Sequence, residues 1–153
     1  MKKELSRIET LKEKIDQKKI AMDIFGEKEG NFFFLDSISS REKILKTDKL
    51  AYKNILTKTK KEDEKSNDTF KTFDSMVFDL KKSGFSDISF FVFSEKIYEV
   101  TIPLSNFLSF YDKIKNKLSH HDIVIHSADL NFGLCLLLDE HYISISHWNN
   151  STS

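Results

Sequence analysis

The sequence predicts an α+β fold: a helical N-terminal segment followed by a mainly antiparallel five-stranded sheet with two helices, in the order α-β-β-α-β-β-β. Three observations carry this. The second half holds short apolar runs separated by turn residues, the pattern of paired strands. Two stretches within that half repeat their apolar residues at helical spacing. Glycine (4) and proline (1) are too scarce to build the many tight turns of a barrel or sandwich.

Residues 3–25 read as a helix, with Leu5, Ile8, Leu11, Ile15 and Met22 along a heptad-like stripe before Ile20, Ala21, Ile24 and Phe25 widen it. The stripe covers fewer than the three to four heptads of a coiled coil, so packing against the next helix is expected over a dimer seam. Gly26 and Gly30 bracket a turn, and the apolar run 31–35 is expected to be buried. Ser39 or Ser40 can cap a helix over 41–57, with Leu45, Tyr52, Ile55 and Leu56 on one side and Lys46, Lys49 and Lys53 on another. Residues 57–68 hold no apolar side chain and read as a linker. A boundary placed there separates a helical N-terminal segment, 1–60, from a sheet domain, 69–149.

In the second half, Asp68 is placed to cap a helix over 69–83 with Phe70, Phe73, Val77 and Leu80 on one face and Gly84 as its stop. Residues 88–93 and 97–102 form a hairpin around Ser94, Glu95 and Lys96. Pro103 opens the cleanest amphipathic helix, carrying Leu104, Phe107, Leu108, Tyr111, Ile114 and Leu118. Strands over 122–126, 132–138 and 141–148 follow, the last two joined tightly at Asp139 and Glu140. Leu134, Leu136, Leu137 and Leu138 mark the middle one as covered on both faces.

Composition bounds the function. Phe (14) far outnumbers Trp (1) and Tyr (4), and Phe has no polar atom to satisfy, so most should be buried. Basic residues are nearly all Lys, which together with much Ile, Asn and Phe suggests an AT-rich genome; size and class fit a bacterial protein. Cys135 is the single cysteine, which excludes an intramolecular disulfide and suits a reducing compartment. The start is charged, with no apolar run resembling a signal peptide, and nothing approaches the roughly 18–20 apolar residues of a membrane span. A cytoplasmic protein without membrane contact is expected.

His120, His121, His126, His141 and His147 cluster in sequence near Asp122, Asp129, Cys135 and Asp139. Their spacings do not converge: on strands, His121 and His126 face opposite sides, and His141 and His147 stand roughly 20 Å apart. No metal or other cofactor is therefore expected. Cys135 lies inside an apolar strand, where a thiol is inert, and no strained serine elbow or glycine-rich phosphate loop occurs. Asp139 and Glu140 fit turn geometry better than acid–base work. No catalytic residue is assigned.

Charge is the remaining feature. Formal net charge is zero, yet residues 41–61 hold eight basic side chains and two acids, a balance of +6. After Lys117 there is no Lys or Arg, only Asp122, Asp129, Asp139, Glu140 and the histidines. The two groups are expected at opposite ends of the molecule. Lys46, Lys49, Lys53, Lys58, Lys60 and Lys61 are the candidate partner-binding residues. The expectation is a non-enzymatic, macromolecule-binding protein: an immunity protein or small inhibitor that neutralises a toxin or defence effector. The alternatives are a nucleic-acid-associated protein using 41–61, or an enzyme with its site near the C-terminal histidines. The scarcity of Arg weighs against bidentate reading of nucleic acid.

Overall fold

The structure, a computed structural model, describes residues 5–150. Its elements are α1 (Arg7–Phe25), β1 (Phe33–Phe34), α2 (Ser37–Lys53), β2 (Ile55–Lys60), α3 (Ser66–Phe78) with a 3-10 turn at Asp79–Lys82, β3 (Asp87–Phe93), β4 (Ile97–Pro103), α4 (Leu104–Ser109), α5 (Tyr111–Lys117), β5 (Ile123–His126), β6 (Phe132–Leu138) and β7 (Tyr142–Asn149). The fold is α+β. All strands join one antiparallel sheet in the order β1-β4-β3-β5-β6-β7-β2.

The five expected strands form the middle of the sheet, and the first 60 residues supply both of its edges. That corrects two expectations. The helix expected over 41–57 starts four residues earlier and ends at Lys53, because Asp36, rather than Ser39 or Ser40, caps it by accepting from the Ser39 amide at 2.8 Å. Residues 55–60 are then a strand hydrogen-bonded to β7, so the stretch read as a linker begins inside the sheet. Segments 1–60 and 69–149 accordingly share one sheet. The signal was weak because an edge strand has one neighbour and little to bury: Thr and Lys suffice.

Four helices cover one face. α1 supplies Ile20, Ala21, Ile24 and Phe25, and α3 supplies Phe73 and Val77. Leu104, Phe107, Tyr111, Ile114 and Leu118 come from the α4–α5 region. The helix expected as one piece from Pro103 bends at Phe110, yet its apolar stripe stays continuous across the bend. α1 starts at Ser6, whose side chain accepts from the Glu9 amide, and stops at Gly26, which adopts φ 71°. Of the run 31–35, Phe32 and Phe34 pack on the core while Phe33 is exposed on the outer strand. Helix α3 starts without a side-chain cap, so Asp68 lies within its first turn.

Among the described residues, the other face carries α2 alone, which crosses from β4 to β7. Its buried residues are Ser40, Ile44, Thr47 and Ala51, whereas Leu45 and Tyr52, on the side marked apolar in the sequence, are exposed. Small side chains let α2 approach the sheet closely. β6 is covered on both sides as expected, with Leu134 and Leu136 toward the four-helix layer and Cys135 and Leu137 toward α2.

Candidate functional site

The backbone of α2 decides where its lysines go. With Ser40, Ile44, Thr47 and Ala51 against the sheet, Lys46, Lys49 and Lys53 fall on the outer arc, all exposed. Strand β2 continues the surface. Lys58 and Lys60 stand opposite Ser144 and Tyr142 of β7, on the face where the Ser146 hydroxyl reaches α2. The Lys58 ammonium sits 4.4 Å from the centre of the Tyr142 ring. Lys61, also exposed, follows in the turn. Among the described residues none of these six forms an ion pair, in contrast to Lys43, Lys96, Lys115 and Lys117.

The expected separation of charge into two ends does not hold. Asp122 and Asp139 lie beside α2 and β2, because β5 starts and β6 ends at the same edge of that layer. Burial first, then the charge of Asp122, pushes the Asp48 carboxyl above its ordinary range. Burial also raises Asp122, with Asp139 adding to it, despite the amide hydrogen bond from Leu138. Partial desolvation, then the charges of Asp122, Asp48 and Asp139, raises the exposed Tyr52 hydroxyl. Asp129 sits away from this group, in the turn before β6, where Ser127 and Asn131 donate to it and hold its carboxyl down. The lysine row therefore flanks an acidic notch. Beside the notch, Arg41, Leu45, Phe93, Ile97, His121 and Asp122 help line a groove of about 420 Å³.

A second group lies beneath the N-terminal half of α2. Glu99 points from β4 into that interface and is almost fully buried, as is His126 from β5. Their side chains approach to 3.2 Å, Glu99 Oε2 to His126 Nε2, without the alignment of a hydrogen bond. His126 Nδ1 lies 2.7 Å from the Ser127 carbonyl, and its ring stacks obliquely on Phe91. Lys43 donates to the other Glu99 oxygen at 3.1 Å, and the Glu99 amide donates to Ser40 Oγ at 2.9 Å. Burial pushes the Glu99 carboxyl up, but His126 and Lys43 together outweigh it and hold the carboxyl below its ordinary range. This group ties α2 to the sheet with charge; a fully buried imidazole offers no access to a substrate. Sequence reasoning missed it, although Glu99 is the charged residue in the run Tyr98, Val100, Ile102, on the opposite face of the strand.

The histidines go to separate places. His121 stacks on Phe93 at 4.8 Å, and His141 lies in an exposed turn, 3.8 Å from Glu140. His147 faces the four-helix layer against Phe132, with burial holding its imidazole below the ordinary range. Among the described residues no three His, Cys, Asp or Glu side chains gather as a metal site would require. Cys135 is fully buried, and burial pushes its thiol well up. No helix among the described residues is long and apolar enough to cross a membrane. No family model, curated protein or solved structure matches the chain.

Proposed function

We propose that the protein works by binding an acidic partner protein through the α2–β2 surface. The observation that carries this reading is the lysine row. Two consecutive elements deliver Lys46, Lys49, Lys53, Lys58 and Lys60 to one side of the sheet, exposed and outside every ion pair among the described residues. Side chains so placed are free to meet a partner, and a helix and a sheet edge hold them in fixed register. The use we put first is neutralisation of a toxin or effector, as an immunity protein or small inhibitor does. The one-domain size and the burial of the only thiol and of the Glu99–His126 pair suit such a role better than catalysis.

The test is the triple change of Lys46, Lys49 and Lys53 to Gln, with association measured against an acidic protein captured from the source cell. An on-rate that falls about tenfold at low salt, with the difference vanishing at high salt, is expected. An unchanged on-rate at low salt would return these lysines to a solvated helix face. Retention on immobilised RNA or DNA that the triple variant abolishes would replace the protein partner with nucleic acid.

A further inference from the structure

The outer face of α1 carries the strongest unabsorbed signal. Ile8, Leu11, Ile15 and Met22 are expected from the sequence to pack on the second helix, but all four are exposed, from 44% to 67%. The helix is held instead by Ile20, Ala21, Ile24, Phe25 and Glu13. At about 100° per residue the four exposed residues fall within an arc of roughly 60°, nearly opposite the buried side. Four large apolar side chains at heptad spacing, on a helix fixed by its opposite face, form a preformed seam.

Charge selects what can cover that seam. Lys12 and Lys19 flank it on one side, and Arg7 and Lys14 on the other. Lys18 borders it on that second side, and all five are exposed without an ion-pair partner among the described residues. Three acids of α1 turn inward or aside: Glu13 accepts from Ser37 and Lys96, Asp16 from Ser94 and Tyr98, and Asp23 pairs with Lys117. A second copy of α1 would bring basic flank against basic flank in either orientation, which opposes self-association. A membrane surface calls for a wider apolar face, about 100° or more, than this narrow stripe.

We infer that α1 is a docking helix for one amphipathic helix of a partner whose seam is apolar and whose flanks are acidic. The seam lies on α1, and its lysines are distinct from those of α2 and β2, so this inference stands or falls apart from the reading above.

The experiment uses the full chain and two three-heptad peptides with Leu and Ile in the seam, one with Glu on both flanks and one with Lys. Binding is measured by titration calorimetry. The acidic peptide is expected to bind and the basic one to fail. Ile8→Ser with Ile15→Ser should weaken acidic-peptide binding at least about tenfold, and Lys12, Lys14 and Lys19 changed together to Glu should reverse the preference. Near-UV circular dichroism checks that the variants keep their fold, as substitution of exposed residues predicts. Equal binding of both peptides, or none of either, overturns the inference. So does concentration-dependent dimerisation in sedimentation that Ile15→Ser abolishes. Binding to vesicles of equal phosphatidylserine and phosphatidylcholine, without binding to the acidic peptide, would overturn it in favour of a membrane surface.

Discussion

The two faces of the sheet are built by different rules. Toward the four-helix layer, β3 to β7 present Ile88, Phe90, Val92, Tyr98, Val100, Ile102, Ile125, Leu134 and Ile145 in one apolar layer. Toward α2, the same strands alternate to Ser89, Glu99, His126, Ser144 and Ser146, interleaved with Phe91, Val124, Cys135, Leu137 and Trp148. Apolar burial is non-directional and supplies most of the stability. Buried hydrogen bonds and charges are directional and cost free energy unless paired. The four-helix layer therefore drives collapse, while the α2 layer fixes where one helix lies and which of its side chains reach solvent.

The largest effect is expected on the apolar face. Phe107 is fully buried, with its ring 5.4 Å from Phe90 and 6.0 Å from Tyr111. Phe107→Ala is expected to cost about 3–5 kcal/mol in urea unfolding, through lost transfer free energy and the cavity left behind. A loss below about 1 kcal/mol would mean that the four-helix layer does not dominate stability.

Apart from α1, whose expected stripe of Ile8, Leu11, Ile15 and Met22 is exposed, that face is also the one the sequence revealed. Phe73, Val77, Leu104, Phe107, Tyr111 and Ile114 are large apolar residues whose spacing matches their burial. On α2 the same reasoning chose the wrong side. Its buried positions are Ser40, Thr47 and Ala51 with a single Ile44, while Leu45 and Tyr52 are exposed, so apolar periodicity points away from the sheet. The six candidate lysines were legible as a charge run, but the side shared by Lys46, Lys49, Lys53, Lys58 and Lys60 depends on β2, whose strand character the sequence reading missed. Glu99 and His126 lie far apart in sequence and meet only through the pairing of β4 with β3 and β3 with β5.

A middle-sized effect is expected at Glu99. Glu99→Gln keeps the shape of the side chain but removes the charge that Lys43 and His126 face. Lys43 is partly exposed and can turn to water, so the loss should be that of hydrogen bonds to a charged group, about 1.5–3 kcal/mol, rather than that of a sealed pair. The pH dependence follows from the lowered carboxyl. The folded state prefers Glu99 ionised, so the stabilisation is complete above the ordinary value of 4.5 and is lost as pH falls through the lower folded value. The gap between wild type and Glu99→Gln should be flat at neutral pH and close on acidification. A gap that widens on acidification would mean that Glu99 is held protonated.

The smallest effect is expected where α2 ends on β7. The Ser146 hydroxyl donates to the Ala51 carbonyl at 2.5 Å and lies 3.2 Å from the Asn54 carbonyl, joining the last turn of the helix to the sheet. Neither carbonyl depends on it alone: the Asn54 amide donates to Ala51 and the His147 amide to Asn54, each at 3.2 Å. Ser146→Ala therefore removes one buried hydrogen bond without leaving a carbonyl unpaired, and about 0.5–1.5 kcal/mol, toward the lower end, is expected in urea unfolding. Amide exchange separates two ways of losing it. If the hydroxyl only adds to global stability, exchange across the sheet should rise uniformly. If it anchors the end of α2, the amides of residues 51–54 should gain exchange beyond the global change, because a local opening becomes cheaper than unfolding. The second outcome is expected, since the remaining backbone bonds at this junction are long and the apolar contacts of α2 are few. Uniform exchange would show that the apolar residues under α2, Phe91, Val124 and Leu137, already hold it, and that the directional role assigned to this face rests on Glu99 alone.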